Sequence, residues 1–284
     1  MNTLFSAYPR AIRVHQWIKN ALVFFPLLTS HEILNAAKFN AALAAWFALS
    51  LVASAGYVIN DIVDLPHDRK HDTKRHRPLA SGKIRKIESV ALVGGLLCVA
   101  LAIAVFQSWK LPVLLCIYLI CSVLYTLYFK KKVLFDAFFL AFLYTYRVVI
   151  GLIVADLSYS TWMIAFCVFF FLGLAFLKRA ADLPGKGYAK DDFPIIAQFG
   201  ITSSYLSVLI FALYIASEKV VALYSSPLFL WAICPLLLFW NLRCWWITYK
   251  GKMNDDPVLF AVRDPFSWAT LSLGIGIVAI ATLL

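Results

Sequence analysis

Residues 50–82 read SLVASAGYVINDIVDLPHDRKHDTKRHRPLASG: eleven uncharged residues, then a run with four aspartates, five lysines and arginines and three histidines. The chain changes character at Asn60 and Asp61, which abut the apolar run at the depth of bilayer headgroups. The surroundings of this stretch fix its meaning. Of 284 residues, 62% are hydrophobic and 14% charged, far more apolar than an ordinary soluble domain. Runs of about 18 or more mostly apolar residues recur along the chain, each long enough to cross a hydrocarbon core of roughly 30 Å as a helix. The reading is an all-α integral membrane protein with nine transmembrane helices. They are predicted at 15–30 (short, broken by Pro26), 39–59, 88–108, 111–129, 133–155, 160–177, 198–216, 226–248 and 265–284. One polytopic membrane domain covers 1–284, without a low-complexity segment or soluble appendage.

Charge sorts with these spans. If the N-terminus is cytoplasmic, 21 lysines and arginines fall on that side and three (Lys38, Lys110, Lys219) on the other, a strong positive-inside asymmetry that places the C-terminus opposite. Arg10, Arg13 and Lys19 lie in the first 20 residues, which lack a signal-peptide pattern, so nothing there is expected to be removed. The carboxylates sort the same way, although the topology rule does not require it: Asp61, Asp64, Asp68, Asp72, Asp182, Asp191, Asp192, Asp255, Asp256 and Asp264 share the cytoplasmic side. A formal charge of +11 could suggest nucleic acid, but the basic residues alternate with spans instead of forming one block, so no nucleic-acid partner is expected. Six cysteines fall within the spans and none forms a CxxC pair, so they are read as small buried packing residues and not as disulfides or a zinc site.

Asp61, Asp64, Asp68 and Asp72, spaced three, four and four apart, would line one face of a helix continuing out of the second span. Each i,i+4 like-charge pair destabilises an isolated helix by roughly 0.2–0.5 kcal/mol, so the pattern makes sense chiefly if cations neutralise it. Oxygen-only ligands suit Mg²⁺, which is held by one or two carboxylates, waters and substrate phosphate oxygens. The alternative is a solvated acidic and basic loop.

At these residues the chain resembles the UbiA superfamily of intramembrane transferases. The pattern NDxxDxxxD matches Asn60, Asp61, Asp64 and Asp68, and TKRxRPLxSG matches Thr73 to Gly82. The resemblance implies nine helices in a UbiA-type bundle, an active site at the cytoplasmic face, and a Mg²⁺-diphosphate site with Asp61, Asp64 and Asp68 as ligands and Asn60 supporting them. Lys74, Arg75 and Arg77 would bind phosphate. Pro66 departs from a plain helix and is expected to kink it between Asp64 and Asp68.

A second acidic region, AFLKRAADLPGKGYAKDD at 175–192, leaves the sixth span on the same side. Lys178 and Arg179 precede Asp182 by four and three residues, which permits a local ion pair, and Tyr188, Asp191 and Asp192 follow a Pro-Gly turn. The family's usual second DxxxD motif is not met. KRxxD followed by YxxxD looks instead like the branch that uses polyprenyl phosphate and phosphoribosyl diphosphate, with Asp182 where that branch has Glu. RVHQWIKNALVFFPLL (13–28) and DDPVLFAVRDP (255–265) resemble further patches of that branch and bring Lys19 and Arg263 towards the diphosphate; Lys19 could equally be a snorkelling anchor beside Trp17. Within the fifth span Asp136 and Arg147 share a face about 16 Å apart, too far to pair, so each needs another partner. Asp136 is either interfacial or functional, and Arg147 is read as a site residue. His15, His67, His71 and His76 are read as loop residues, and Tyr144 and Tyr146 as packing.

Three functions compete. The first transfers 5-phosphoribose from phosphoribosyl diphosphate to a polyprenyl phosphate, with Mg²⁺ as cofactor and Asp61, Asp64, Asp68, Arg147 and Asp182 as catalytic residues. Lys19, Asn60, Lys74, Arg75, Arg77, Lys178, Arg179, Tyr188 and Arg263 would then bind substrate. The second moves a polyprenyl group from its diphosphate to an aromatic acceptor. The third is a transporter using Asp136 and Arg147, against which stands the lack of a clear internal repeat. The expected partners are membrane lipids, a lipid substrate and a diphosphate-bearing donor; a homo-oligomer is left open.

Overall fold

The computed structural model describes residues 7–158, 160–253 and 256–284, and of Lys219 the backbone alone; Asp255 lies outside the described residues. The described chain is helical, with an isolated bridge between Gly185 and Tyr188. In chain order the α-helices are α1 (Ala7–Ala11), α2 (Phe25–Thr29), α3 (Ala36–Val63), α4 (Leu65–Asp68), α5 (Lys86–Gln107), α6 (Lys110–Leu124), α7 (Phe135–Val154), α8 (Thr161–Ala181), α9 (Phe193–Ile215), α10 (Glu218–Leu223), α11 (Ile233–Tyr249), α12 (Pro257–Arg263) and α13 (Pro265–Leu283). Among the described residues eight helical segments are long and apolar enough to span a membrane: 36–63, 86–107, 110–129, 135–154, 161–181, 190–215, 227–249 and 265–283. They coincide with the second to ninth expected spans.

The expected first span has a different character. Val14–Phe24 is a 3-10 segment, followed by the five-residue α2 with Pro26 in its first turn. Such runs rarely exceed four residues, because their hydrogen bonds are poorly aligned. Here side chains of α3 hold the segment in place. Ser54 Oγ donates to the Ile12 carbonyl at 2.7 Å and accepts from Trp17 Nε1 at 3.0 Å; Trp46 Nε1 donates to the Trp17 carbonyl at 3.2 Å; Asn20 Nδ2 donates to Ser50 Oγ at 3.0 Å. Non-helical backbone survives in an apolar medium only where protein supplies its partners.

Residue contacts divide the chain into two units, 1–129 with 146–158, and 130–145 with 159–284. In the first, α3 packs against α5, α6 and the 3-10 segment. Most of its buried residues are small, among them Ala41, Ala42, Ala45, Ala48, Ser50, Ser54 and Ala55. Membrane helices lack a hydrophobic drive to associate, so small side chains that admit close van der Waals approach decide the packing. At Gly151 of α7 the contact is tightest, since an added Cβ would collide with the Val23 carbonyl. In the second unit α8 packs along α9, and α11 against α9 and α13. Asp264 caps α13 by accepting from Ser267 N and Oγ, both at 2.8 Å, and takes two bonds from Arg243 at 2.7 and 2.9 Å; the Arg243 guanidinium holds this carboxyl below the usual range.

The six cysteines are free, as expected, but only Cys167 and Cys244 are buried; Cys98 and Cys116 are exposed, because α5 and α6 present much of their surface outward. Replacing Gly151 by Ala is expected to lower stability by about 1–3 kcal/mol, the ordinary cost of overpacking. Thermal unfolding in detergent checks this, and Gly276→Ala, with nothing near the added Cβ, serves as its control.

Candidate active site

In the first unit the motif does not continue as one helix. The chain breaks at Asp64, which ends α3 and precedes α4, with Pro66 in the first turn of α4. The expectation that four aspartates line one face is thereby corrected: Pro66 has no N–H to carry the ladder on, and Asp72 falls in an exposed loop. The break lies just before the kink expected between Asp64 and Asp68. It leaves Asp61 and Asp68 buried, at 6% and 1% exposure, and Asp64 half-buried at the junction.

Both buried carboxylates converge on one guanidinium nitrogen. Arg77 Nη1 donates to Asp68 Oδ2 at 2.7 Å and to Asp61 Oδ1 at 3.1 Å. A second guanidinium joins them, with Arg13 Nη2 donating to the same Asp61 oxygen at 2.5 Å and lying 4.8 Å over the Tyr57 ring. Arg13 adopts a left-handed backbone, φ 53° and ψ 51°, a conformation that costs a non-glycine residue of order 1–3 kcal/mol and persists only when its surroundings hold it. Sequence reading singled out Arg77 but passed over Arg13, which opens the 13–28 patch. Its signal was the spacing of Ser50, Ser54, Tyr57 and Asp61, a polar stripe on one face of α3 that the segment beginning near Arg13 covers. Lys74 and Arg75 stand in a short 3-10 turn, Lys74 half-buried and Arg75 exposed, and Asn60 is half-buried beside Asp61.

Deeper along α3, Arg147 is 5% exposed. Its Nε donates to Asn20 Oδ1 at 2.9 Å and its Nη2 to Tyr118 Oη at 2.7 Å. With Asn20 on Ser50, this polar chain ties α7, α6 and the 3-10 segment to α3. Lys19 is itself buried, at 6% exposure, and so is not a snorkelling surface anchor. Tyr146 Oη donates to the Leu114 carbonyl at 3.1 Å, a packing contact as read.

The second unit has its own buried charge. Asp136, completely buried, pairs with Arg179 Nε, and Arg179 is 1% exposed. Tyr188 Oη donates to Asp136 Oδ1 at 2.8 Å and accepts from Leu134 N at 2.7 Å; Arg179 Nη1 donates to Asp182 Oδ2 at 3.0 Å. Asp136 is therefore paired inside the protein, and its partner is the KRxxD arginine. Lys178 pairs with Asp256 at 3.2 Å and not with Asp182. Asp256 also caps α12 by accepting from Val258 N and Leu259 N, and Arg263 is exposed at the end of that helix. Asp192 accepts from Ala189 N at 2.7 Å, an N-terminal cap for the following turn, while Asp191 is exposed. Lys186 is exposed, yet desolvation by the protein beside it, with repulsion from Arg179 and Lys178, pulls its ammonium down to about 8.

Among the described residues no three His, Cys, Asp or Glu side chains converge as a metal cage. Mg²⁺ does not need one: a pair of carboxylates with water and phosphate oxygens is its usual setting. Asp61 Oδ1 and Asp68 Oδ2, both aimed at one cationic nitrogen, supply such an oxygen pair, so these residues fit the ion.

The fold has solved counterparts. A UbiA homologue from Archaeoglobus fulgidus bound to GPP and Mg²⁺ superposes with a TM-score of 0.70 at 17% identity, over 96% of this chain and 99% of that one. The helical membrane architecture is thus of the UbiA class, and the chain belongs to the UbiA prenyltransferase family, whose model matches residues 21–281. Three relatives are similar in sequence. An uncharacterized protein of Sinorhizobium fredii is 33% identical over 90% of this chain, which spans only 52% of that protein's length. The nodulation protein NoeC of Azorhizobium caulinodans is 31% identical over 96% of this chain and 93% of its own. A decaprenyl-phosphate phosphoribosyltransferase of Mycolicibacterium smegmatis is 30% identical over 63% of this chain and 58% of its own.

Asp136→Ala removes one of the two carboxylates that pair with buried Arg179 and is expected to cost about 3–5 kcal/mol, whereas Tyr188→Phe, which removes the two hydrogen bonds of the Tyr188 hydroxyl, should cost about 2 kcal/mol. Denaturation of the two variants in detergent orders them. Only the neutral amine attacks an acylating reagent, and Lys186 is half neutral near pH 8, while ordinary lysines reach that point near 10.4. Labelling followed by mass spectrometry across a pH series should find modification of Lys186 half-maximal near pH 8.

Proposed function

We propose that the chain is a Mg²⁺-dependent membrane transferase that moves 5-phosphoribose from phosphoribosyl diphosphate to the phosphate of a polyprenyl phosphate. The observation that carries this reading is the pairing of two buried carboxylates with two guanidinium groups at Asp61 and Asp68. Such a cluster suits a ligand that arrives as an anion together with a divalent cation. The KRxxD and RVHQWIKN patches support the phosphoribosyl branch over an aromatic acceptor, as does the likeness to the mycobacterial phosphoribosyltransferase.

In the reaction the bond from ribose C1 to the diphosphate oxygen breaks, the diphosphate leaves with the electron pair, and a lipid phosphate oxygen bonds to C1. Mg²⁺, when bound, offsets charge that builds on the leaving diphosphate. Asp61, Asp64 and Asp68 would hold it, with Asn60 steadying Asp61. Arg77, Lys74 and Arg75 orient the phosphates and neutralise them. Positioning and preorganised charge supply the acceleration, so no protein nucleophile is required. Arg147 and Asp182 are positioning residues in this reading: Arg147 fixes the 3-10 segment through Asn20, and Asp182 holds Arg179. The positive-inside asymmetry supports a cytoplasmic N-terminus and cytoplasmic charged loops, where a soluble donor is available.

Purified protein in detergent with Mg²⁺, polyprenyl phosphate and radiolabelled phosphoribosyl diphosphate should carry label into the lipid phase. Asp61→Ala and Asp68→Ala are expected to lose at least about 100-fold in rate, and chelation of Mg²⁺ should abolish transfer. Conversion of polyprenyl diphosphate with an aromatic acid, in a preparation inert to the phosphoribosyl donor, overturns the assignment.

A further inference from the structure

We infer that Arg13 and Arg77 are exchangeable counter-ions: they neutralise Asp61 and Asp68 when no divalent cation is bound, and turn to the donor's diphosphate when one enters. The inference rests on the metal-dependent transferase reading and adds Arg13 to the binding residues. Arg77 Nη1 stands between Asp61 Oδ1 and Asp68 Oδ2, at 3.1 and 2.7 Å, where a cation bridging these carboxylates would itself belong. Arg13 presses on the same Asp61 oxygen at 2.5 Å. A metal ion bridging those oxygens at 2.0–2.1 Å would take the place that Arg77 Nη1 holds between them.

Two features suit these arginines to move. Both come from segments outside the long helices, and their side chains retain 22% and 28% exposure while the carboxylates are nearly sealed. The positive φ of Arg13 marks a backbone held by its contacts and not by its own preference, the kind of residue found at switch points. A released guanidinium binds phosphate oxygens through two parallel hydrogen bonds, which compensates for the carboxylate it gives up. Metal alone must therefore displace arginines that have nowhere to go. Metal with diphosphate displaces them onto a new partner, so the two ligands bind cooperatively.

Mn²⁺, an oxygen-preferring substitute for Mg²⁺, allows binding to be counted by electron paramagnetic resonance without any turnover. Wild type should bind Mn²⁺ weakly alone and more tightly with pyrophosphate. Arg77→Gln and Arg13→Gln should each bind Mn²⁺ alone at least about 5-fold more tightly than wild type, and lose most of the gain from pyrophosphate, 5-fold being the low end of ordinary coupling. Arg69→Gln removes the same charge from an exposed position in the same loop and should change neither value by more than about 2-fold, the scale of a screened surface charge. Arg77→Lys keeps a cation on the carboxylates and should stay near wild type for Mn²⁺ alone, a comparison that stands if a Gln variant does not fold. Equal Mn²⁺ affinity in wild type and both Gln variants, or equal tightening by Arg69→Gln, overturns the exchange while leaving the transferase reading intact. Absence of Mn²⁺ binding by every protein, with or without pyrophosphate, overturns both.

Discussion

A charge buried in an apolar medium must find an opposite charge or a ring of hydrogen-bonding partners, and in this chain that requirement sets where the irregular segments lie. The effective desolvation penalty is several kcal/mol per ion, so Asp61, Asp68, Asp136, Arg147 and Arg179, each at most 6% exposed, cannot stand alone. Asp61 draws in the N-terminal segment through Arg13 and the charged loop through Arg77. Asp136 draws the end of α8 and, through Tyr188, the turn that follows it. For Asp61 and Asp68 the bases come from segments outside the long helices, and for Asp136 from the last turn of α8.

The break at Asp64 has the same standing for the first motif. Carried on as one helix, Asp61 and Asp68 would stand two turns apart, roughly 10 Å along the axis. Pro66 interrupts the ladder, α4 starts afresh, and the two carboxylates meet at one nitrogen. A residue that reads as a defect in the motif is the one that lets its acids act together, and the short helix needs no more length because Arg77 secures its last residue.

The 3-10 segment Val14–Phe24 follows from a related constraint, that backbone polar groups in an apolar medium need protein partners. Ser54 and Trp46 supply them to the carbonyls of Ile12 and Trp17, and Gly151 makes room for that of Val23. Its polar residues are spent on the same task. Asn20 bridges Ser50 and Arg147, so the depth of the segment and the position of Arg147 are one decision.

The sequence by itself determined the membrane class, eight of the spans to within a few residues at most of their ends, the family motif and the acids at its centre. Those are local properties: hydrophobic length, charge asymmetry and short spacings are written in neighbouring residues. It did not determine which base answers which acid. Asp61 meets Arg13 from 48 residues away, Arg147 meets Asn20 from 127, and Lys178 passes over Asp182 for Asp256, 78 residues on. Ion pairing is indifferent to chain distance and depends on which surfaces pack together, so the partners, and with them the positioning parts of Arg147, Arg179 and Tyr188, were decided only when the helices were brought into contact.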